Sequence, residues 1–127
     1  MKLREIKEIL DCEILFGEEN LEEEVSSACG CDLMSDVLAF AQVGSLLLTG
    51  LINIQSVRTT YIANSKAIVY VRGKRPDEET VHLAKEKGIP LMSTKLRLYD
   101  ACGKLYLKGL RNASEEAKLT SARKEIV

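Results

Sequence analysis

The chain has 127 residues, 46% hydrophobic and 29% charged, and its 18 Lys and Arg nearly balance 19 Asp and Glu, for a formal net charge of −1. That length suits one domain able to bury roughly two thirds of its unfolded surface without metal or disulfide staples. The charge balance removes any broad attraction to nucleic acid or an anionic membrane, and no apolar run reaches the length of a signal-peptide core or a membrane span, so a cytoplasmic protein is expected.

Leu3, Ile6, Ile9 and Leu10 recur at helical spacing among charges, which predicts an amphipathic first helix lying on a sheet. Cys12 to Phe16 and Val25 to Cys29 read as two short strands, an antiparallel or edge pair, around the acidic turn Glu18-Glu19-Asn20. A second helix follows Gly30, with Met34, Val37, Leu38 and Ala41 on its inner face and Asp32 or Ser35 as its N-cap. Leu46-Leu47-Leu48 lacks polar alternation, as a parallel strand covered on both faces does. Asn53 can cap the next helix, whose buried face is expected to be Ile54, Val57, Tyr61 and Ile62.

The strand Ala67 to Val71 is β-branched and aromatic, and Pro76-Asp77-Glu78-Glu79 opens a helix that Gly88 stops. Ile89 to Thr94 is a short strand, and Leu98, Cys102, Leu105 and Tyr106 form the stripe of a last helix ending near Gly109. Residues 112–127, poor in large apolar side chains, read as a frayed helix or tail beyond a domain over 1–111. The expected fold is a three-layer α/β/α domain with a mostly parallel sheet of about five strands and helices on both faces.

Two stretches, Gly44 to Asn53 and Ala67 to Lys74, repeat one pattern in which an apolar run stops at a glycine and hands over to a helix. In open α/β sheets that is where ligand crevices form, at a switch in strand order. Helix N-termini offer free amides there, and Arg58, Arg72, Lys74 or Arg75 could neutralise a phosphate. The candidate ligand-binding residues are Thr49, Gly50, Asn53, Arg58, Arg72, Gly73, Lys74 and Thr94. The competing reading is a pair of tight βα turns with solvated charges.

Cys29-Gly30-Cys31 to Leu38, Gly44 to Gly50 and Gly88 to Thr94 together resemble the DRTGG domain family. That family is a small α/β module found alone, between paired CBS domains of some inorganic pyrophosphatases, and in some phosphotransacetylases. The chain is also similar to the N-terminal domain of HPr kinase, and the resemblance spans about Met1 to Arg111. It implies a regulatory domain that tends to self-associate. The naming Asp-Arg-Thr run is degraded to Gly50-Leu51-Ile52-Asn53, and the naming Gly-Gly pair to Arg72-Gly73. A kinase role is not expected, because no Gly-x-x-x-x-Gly-Lys run followed by Ser or Thr occurs.

Cys12, Cys29, Cys31 and Cys102 add up to the four thiols of a zinc or iron-sulfur site, with Cys29 and Cys31 the weak metal candidates. Their spacing lacks the usual two-residue gap, so buried structural thiols are the expectation, and no cofactor is implied. His82, the single histidine, has no catalytic partner in sequence, and Tyr61, Tyr70, Tyr99 and Tyr106 are too scattered for a base-stacking platform. The sequence therefore reads as a non-catalytic regulatory domain, a homodimer sensing a nucleotide or another phosphorylated small molecule, with no nucleic acid or membrane partner. The alternative is an adaptor that docks on a metabolic or redox enzyme without a ligand, with a metal-thiolate or phosphotransfer protein behind both.

Overall fold

The structure, a computed structural model, describes residues 1–112. The expectation of a tail or frayed helix therefore lies, beyond Asn112, outside the described residues. Ten elements run in the order α1 (Leu3–Leu10), β1 (Glu13–Phe16), β2 (Ala28–Gly30), α2 (Met34–Phe40), β3 (Leu46–Thr49), α3 (Ile54–Ile62), β4 (Ala67–Tyr70), α4 (Glu78–Lys87), β5 (Leu91–Ser93) and α5 (Leu98–Leu107). A single 3-10 turn covers Glu18–Asn20. No helix among the described residues is long and apolar enough to cross a membrane.

The five strands form one sheet in the order β1-β5-β4-β3-β2, parallel except for the antiparallel β1–β5 pair. The two predicted strand-glycine-helix units are thus neighbours, with Leu46 opposite Ala67 and Thr49 opposite Tyr70. β1 and β2 do not pair with each other. They close opposite edges, because the fully buried β3 and β4 lie inside the sheet and leave the more exposed strands outside.

From β2 to β5 the parallel strands follow sequence order in one direction. Right-handed crossovers then put α2, α3 and α4 on the same face, leaving the terminal helices α1 and α5 to cover the other. The two cores show this division. Leu46, Leu48, Ala67, Val69 and Val71 pack with Leu3, Ile6, Leu10, Ala101 and Leu105, whereas Leu47, Ile68 and Tyr70 pack with Val37, Val57 and Ala84. Each large aliphatic side chain so buried contributes about 1.5–3 kcal/mol of transfer free energy. One expectation fails here: strand order never reverses among the parallel strands, so no switch-point crevice opens between helices leaving opposite faces.

Two helix faces also differ from their predicted ones. α3 buries Ser56, Val57, Thr59 and Thr60 and leaves Tyr61 and Ile62 outside, at 50% and 69% exposure. Hydroxyls are buriable there because they are satisfied. Ser56 Oγ bonds the Tyr70 hydroxyl at 2.7 Å and donates to the Asn53 carbonyl at 2.8 Å, and Thr60 Oγ1 donates to the Ser56 carbonyl at 2.8 Å. α2 buries Val37 but leaves Leu38 half exposed, and neither Asp32 nor Ser35 caps it. Its N-cap is Leu33, with no side-chain hydrogen bond, because the Asp32 carboxylate is engaged on β3.

Candidate functional site

The C-terminal ends of β2 to β5 bring four loops to one edge of the domain. Asp32, just past β2, reaches the end of β3: its Oδ1 accepts from Thr49 Oγ1 at 2.9 Å and from the Gly50 amide at 2.7 Å. Thr49 Oγ1 in turn accepts the Leu51 amide at 3.1 Å. One exposed carboxylate thereby fixes the turn between β3 and α3. Sequence reasoning assigned Asp32 to capping, and the only signal for its real partner was that β2 and β3 are parallel neighbours, which brings Gly30 opposite Leu48.

Across this turn lies the loop after β4. Arg72 and Gly73 both take the left-handed conformation, with φ of 60° and 66°. Their amides donate to the carbonyls of Leu96 and Thr94, each at 2.7 Å, which ties the loop to the one after β5. This turn needs two left-handed residues, the geometry a Gly-Gly pair adopts without cost, yet an arginine holds the first position. The Arg72 guanidinium lies against Gly50, occupying the space a Cβ there would take. An exposed cation is thereby seated over the end of β3, against a Gly50 that leaves room for it.

The other predicted residues have these places. Gly73 and Lys74 sit beside Arg72 on the exposed loop, and the Lys74 carbonyl accepts Ser93 Oγ at 2.8 Å. The Asn53 side chain caps α3 by accepting the Gln55 amide at 3.1 Å. Thr94 is buried; its hydroxyl donates to the Leu10 carbonyl at 2.6 Å and accepts the Leu96 amide at 3.3 Å, so it holds α1 to the sheet. Arg58 is exposed midway along α3, and Arg75 pairs with Glu13 of β1. Thr49, Gly50, Arg72 and Asp32 are therefore the residues the fold assembles into one unit.

Cys12 stands apart from the other three cysteines, which lie around β2. Cys12 adjoins β1 at one edge of the sheet, while Cys29 and Cys31 lie at the opposite edge against the α2–α4 core. Cys102 belongs to the other core, and its Sγ rests on Gly30. Burial pushes the Cys12 thiol up to about 12, and burial also raises Cys29 and Cys102, with the neighbouring Cys31 and Cys102 adding to the effect on Cys29. Among the described residues no group of three or more His, Cys, Asp or Glu is placed to hold a metal ion. His82 is exposed on α4, 3.0 Å from Glu86 one turn on. Tyr70 is buried, Tyr61 lies under Lys87, and Tyr99 and Tyr106 share one side of α5.

No family model matches the chain, and no curated protein matches it. Among solved structures it is similar to the CBS and DRTGG domains of the regulatory region of Clostridium perfringens pyrophosphatase, complexed with the activator diadenosine tetraphosphate. The TM-score is 0.65 and the identity 16%, over 80% of this chain and 44% of that one, so the chain spans less than half of its neighbour's length. At that identity the likeness shows the fold alone, a DRTGG-like α/β fold.

Proposed function

We propose that the protein is a non-catalytic regulatory module of the cytoplasm that senses a nucleotide or another phosphorylated small molecule at the edge formed by Thr49, Gly50, Arg72, Gly73 and Lys74. The observation that carries this reading is the Arg72 guanidinium, which lies over Gly50 from a residue whose left-handed backbone is costly for arginine. Strain retained at a loop that presents a cation is a pointer to function. A guanidinium with no carboxylate partner among the described residues is a good donor to the oxygens of a phosphate. The structural neighbour is a regulatory region that binds diadenosine tetraphosphate, which supports a nucleotide as the class to try first. The non-catalytic part rests on the carboxylate and hydroxyl at this edge, Asp32 and Thr49, being committed to the turn through the Gly50 and Leu51 amides.

Thermal shift of the full chain against AMP, ATP, diadenosine tetraphosphate and inorganic phosphate tests the reading. A ligand at a hundredfold excess over its Kd stabilises by about 2.7 kcal/mol, several degrees for a domain of this size. The shift should vanish in Arg72→Ala. No shift with any anion, or a shift indifferent to Arg72, would sink the proposal. An adaptor role is the second reading, favoured by the exposed Leu38, Phe40 and Ile62 on the α2–α3 face.

A further inference from the structure

Two opposite charges converge on Gly50. Asp32, from the loop after β2, accepts the Gly50 amide at 2.7 Å through Oδ1, and the Arg72 guanidinium, from the loop after β4, has its Cζ 3.3 Å from the position of a Cβ there. A single residue spaces them, so Oδ1 and Cζ are at most about 8.5 Å apart. Yet they do not pair with each other, and neither joins another ion pair among the described residues. The commitment of Asp32 to the turn uses Oδ1 alone: both of its hydrogen bonds end there, and Oδ2 accepts none among the described residues. Both side chains are exposed, as is Lys74 two residues beyond Arg72.

A carboxylate and a guanidinium so placed make different demands. An ionised carboxylate only accepts hydrogen bonds, and a guanidinium only donates them. A ligand that spans the gap must turn a proton-bearing atom to Asp32 and a bare anionic oxygen to Arg72. In a tetrahedral oxyanion neighbouring oxygens are about 2.5 Å apart, so hydrogen bonds of about 2.6 Å to the carboxylate and about 2.8 Å to the guanidinium let one such ion bridge the two groups. Phosphate and phosphomonoesters qualify, because a monoester has a second pKa of about 6 and holds its proton readily beside an acceptor. Sulfate, a phosphodiester and the inner phosphates of a polyphosphate have no proton to offer near neutral pH. Each sets bare oxygens against the carboxylate, which repels them.

We infer that Asp32 is the selectivity determinant of this edge, admitting an oxyanion only when it carries a proton, so that inorganic phosphate and terminal phosphomonoesters are the ligand class. This rests on the anion site proposed at Arg72 and narrows its ligand from any phosphorylated molecule to one with a terminal phosphate. Arg72 and Lys74 alone would take any anion by charge; the carboxylate on the same glycine supplies the discrimination.

Isothermal titration calorimetry of the full 127-residue chain at low ionic strength tests this, with phosphate against sulfate and AMP against cyclic AMP. Phosphate and AMP should bind about thirtyfold or more tightly than sulfate and cyclic AMP. Asp32→Asn should bring each pair to within about threefold, since the amide keeps an oxygen for Gly50 and turns Nδ2, a donor, toward bare oxygens. Circular dichroism and the urea midpoint check that this variant is folded. Equal affinities within each pair in the unaltered chain, abolished by Arg72→Ala, would overturn the role of Asp32 and leave the anion site standing. A preference that survives Asp32→Asn would do the same. Binding of no oxyanion, or binding indifferent to Arg72→Ala, would overturn both.

Discussion

Replacing Asp32 separates two physical roles for one carboxylate. As an N-cap of α2 it would cost about 1 kcal/mol on mutation to alanine and almost nothing on mutation to asparagine, an equally good cap. The structure instead gives Oδ1 two donors, Thr49 Oγ1 and the Gly50 amide. Hydrogen bonds to an ionised group contribute about 1.5–3 kcal/mol each, and solvent around the exposed carboxylate takes each toward or below the lower end. Asp32→Ala should therefore cost about 2 kcal/mol, and Asp32→Asn, which keeps an acceptor but loses the charge, about 0.5–1 kcal/mol. Thr49→Val removes one donor and strands the Leu51 amide, costing about 1–2 kcal/mol.

Because both substitutions break the same bond, the double mutant should show a coupling of about 1 kcal/mol. Urea unfolding followed by circular dichroism, at fixed m-value, reads all of these, and each kcal/mol corresponds to about 4 °C in Tm. Additivity of Asp32→Ala and Thr49→Val to within about 0.3 kcal/mol would refute the argument, and so would a neutral Asp32→Asn.

Arg72→Gly should raise stability by about 1 kcal/mol, since glycine adopts the φ of 60° without strain, while abolishing any anion-induced thermal shift. Gains in stability and loss of binding from one substitution are the signature of strain kept for function, and a loss of stability would remove that explanation. Tyr70→Phe should cost about 0.5–1.5 kcal/mol, since Ser56 keeps its bond to Asn53, whereas Ser56→Ala should cost about 1–3 kcal/mol by leaving the Tyr70 hydroxyl unpaired in the core. Equal costs in urea melts would contradict that asymmetry. The buried Cys12 thiol, raised from 9.0 to about 12, contributes stability that is fully present below pH 9 and lost as pH rises toward 12. Cys12→Ala should flatten the fall in urea midpoint above pH 9, and an unchanged slope would count against a protonated buried thiol.

What the sequence determined by itself was the set of elements and their class. The unbroken apolar runs at Leu46–Leu48 and Ala67–Val71 read as buried strands, and the glycines and Pro76 around them marked where helices begin and end. Local rules also placed Asn53 as a cap, because a cap depends on residues two or three positions away. Which faces turned inward on α3 was not legible, since Ser56 and Thr60 are buried by a partner, Tyr70, and by α3's own backbone, whose fit only packing reveals.

The site divided the same way. Gly50 and Arg72 were visible as loop residues, but their contact, the left-handed turn at Arg72 and the bond from Asp32 all join segments about 20 residues apart. They exist only because β2, β3 and β4 lie side by side. The monotonic strand order, which removes a switch-point crevice and sends α1 and α5 to the far face, is likewise a property of the assembled sheet. Periodicity can state that a strand is buried on both sides, but the order of strands is fixed by crossovers and edge polarity acting on the whole chain at once.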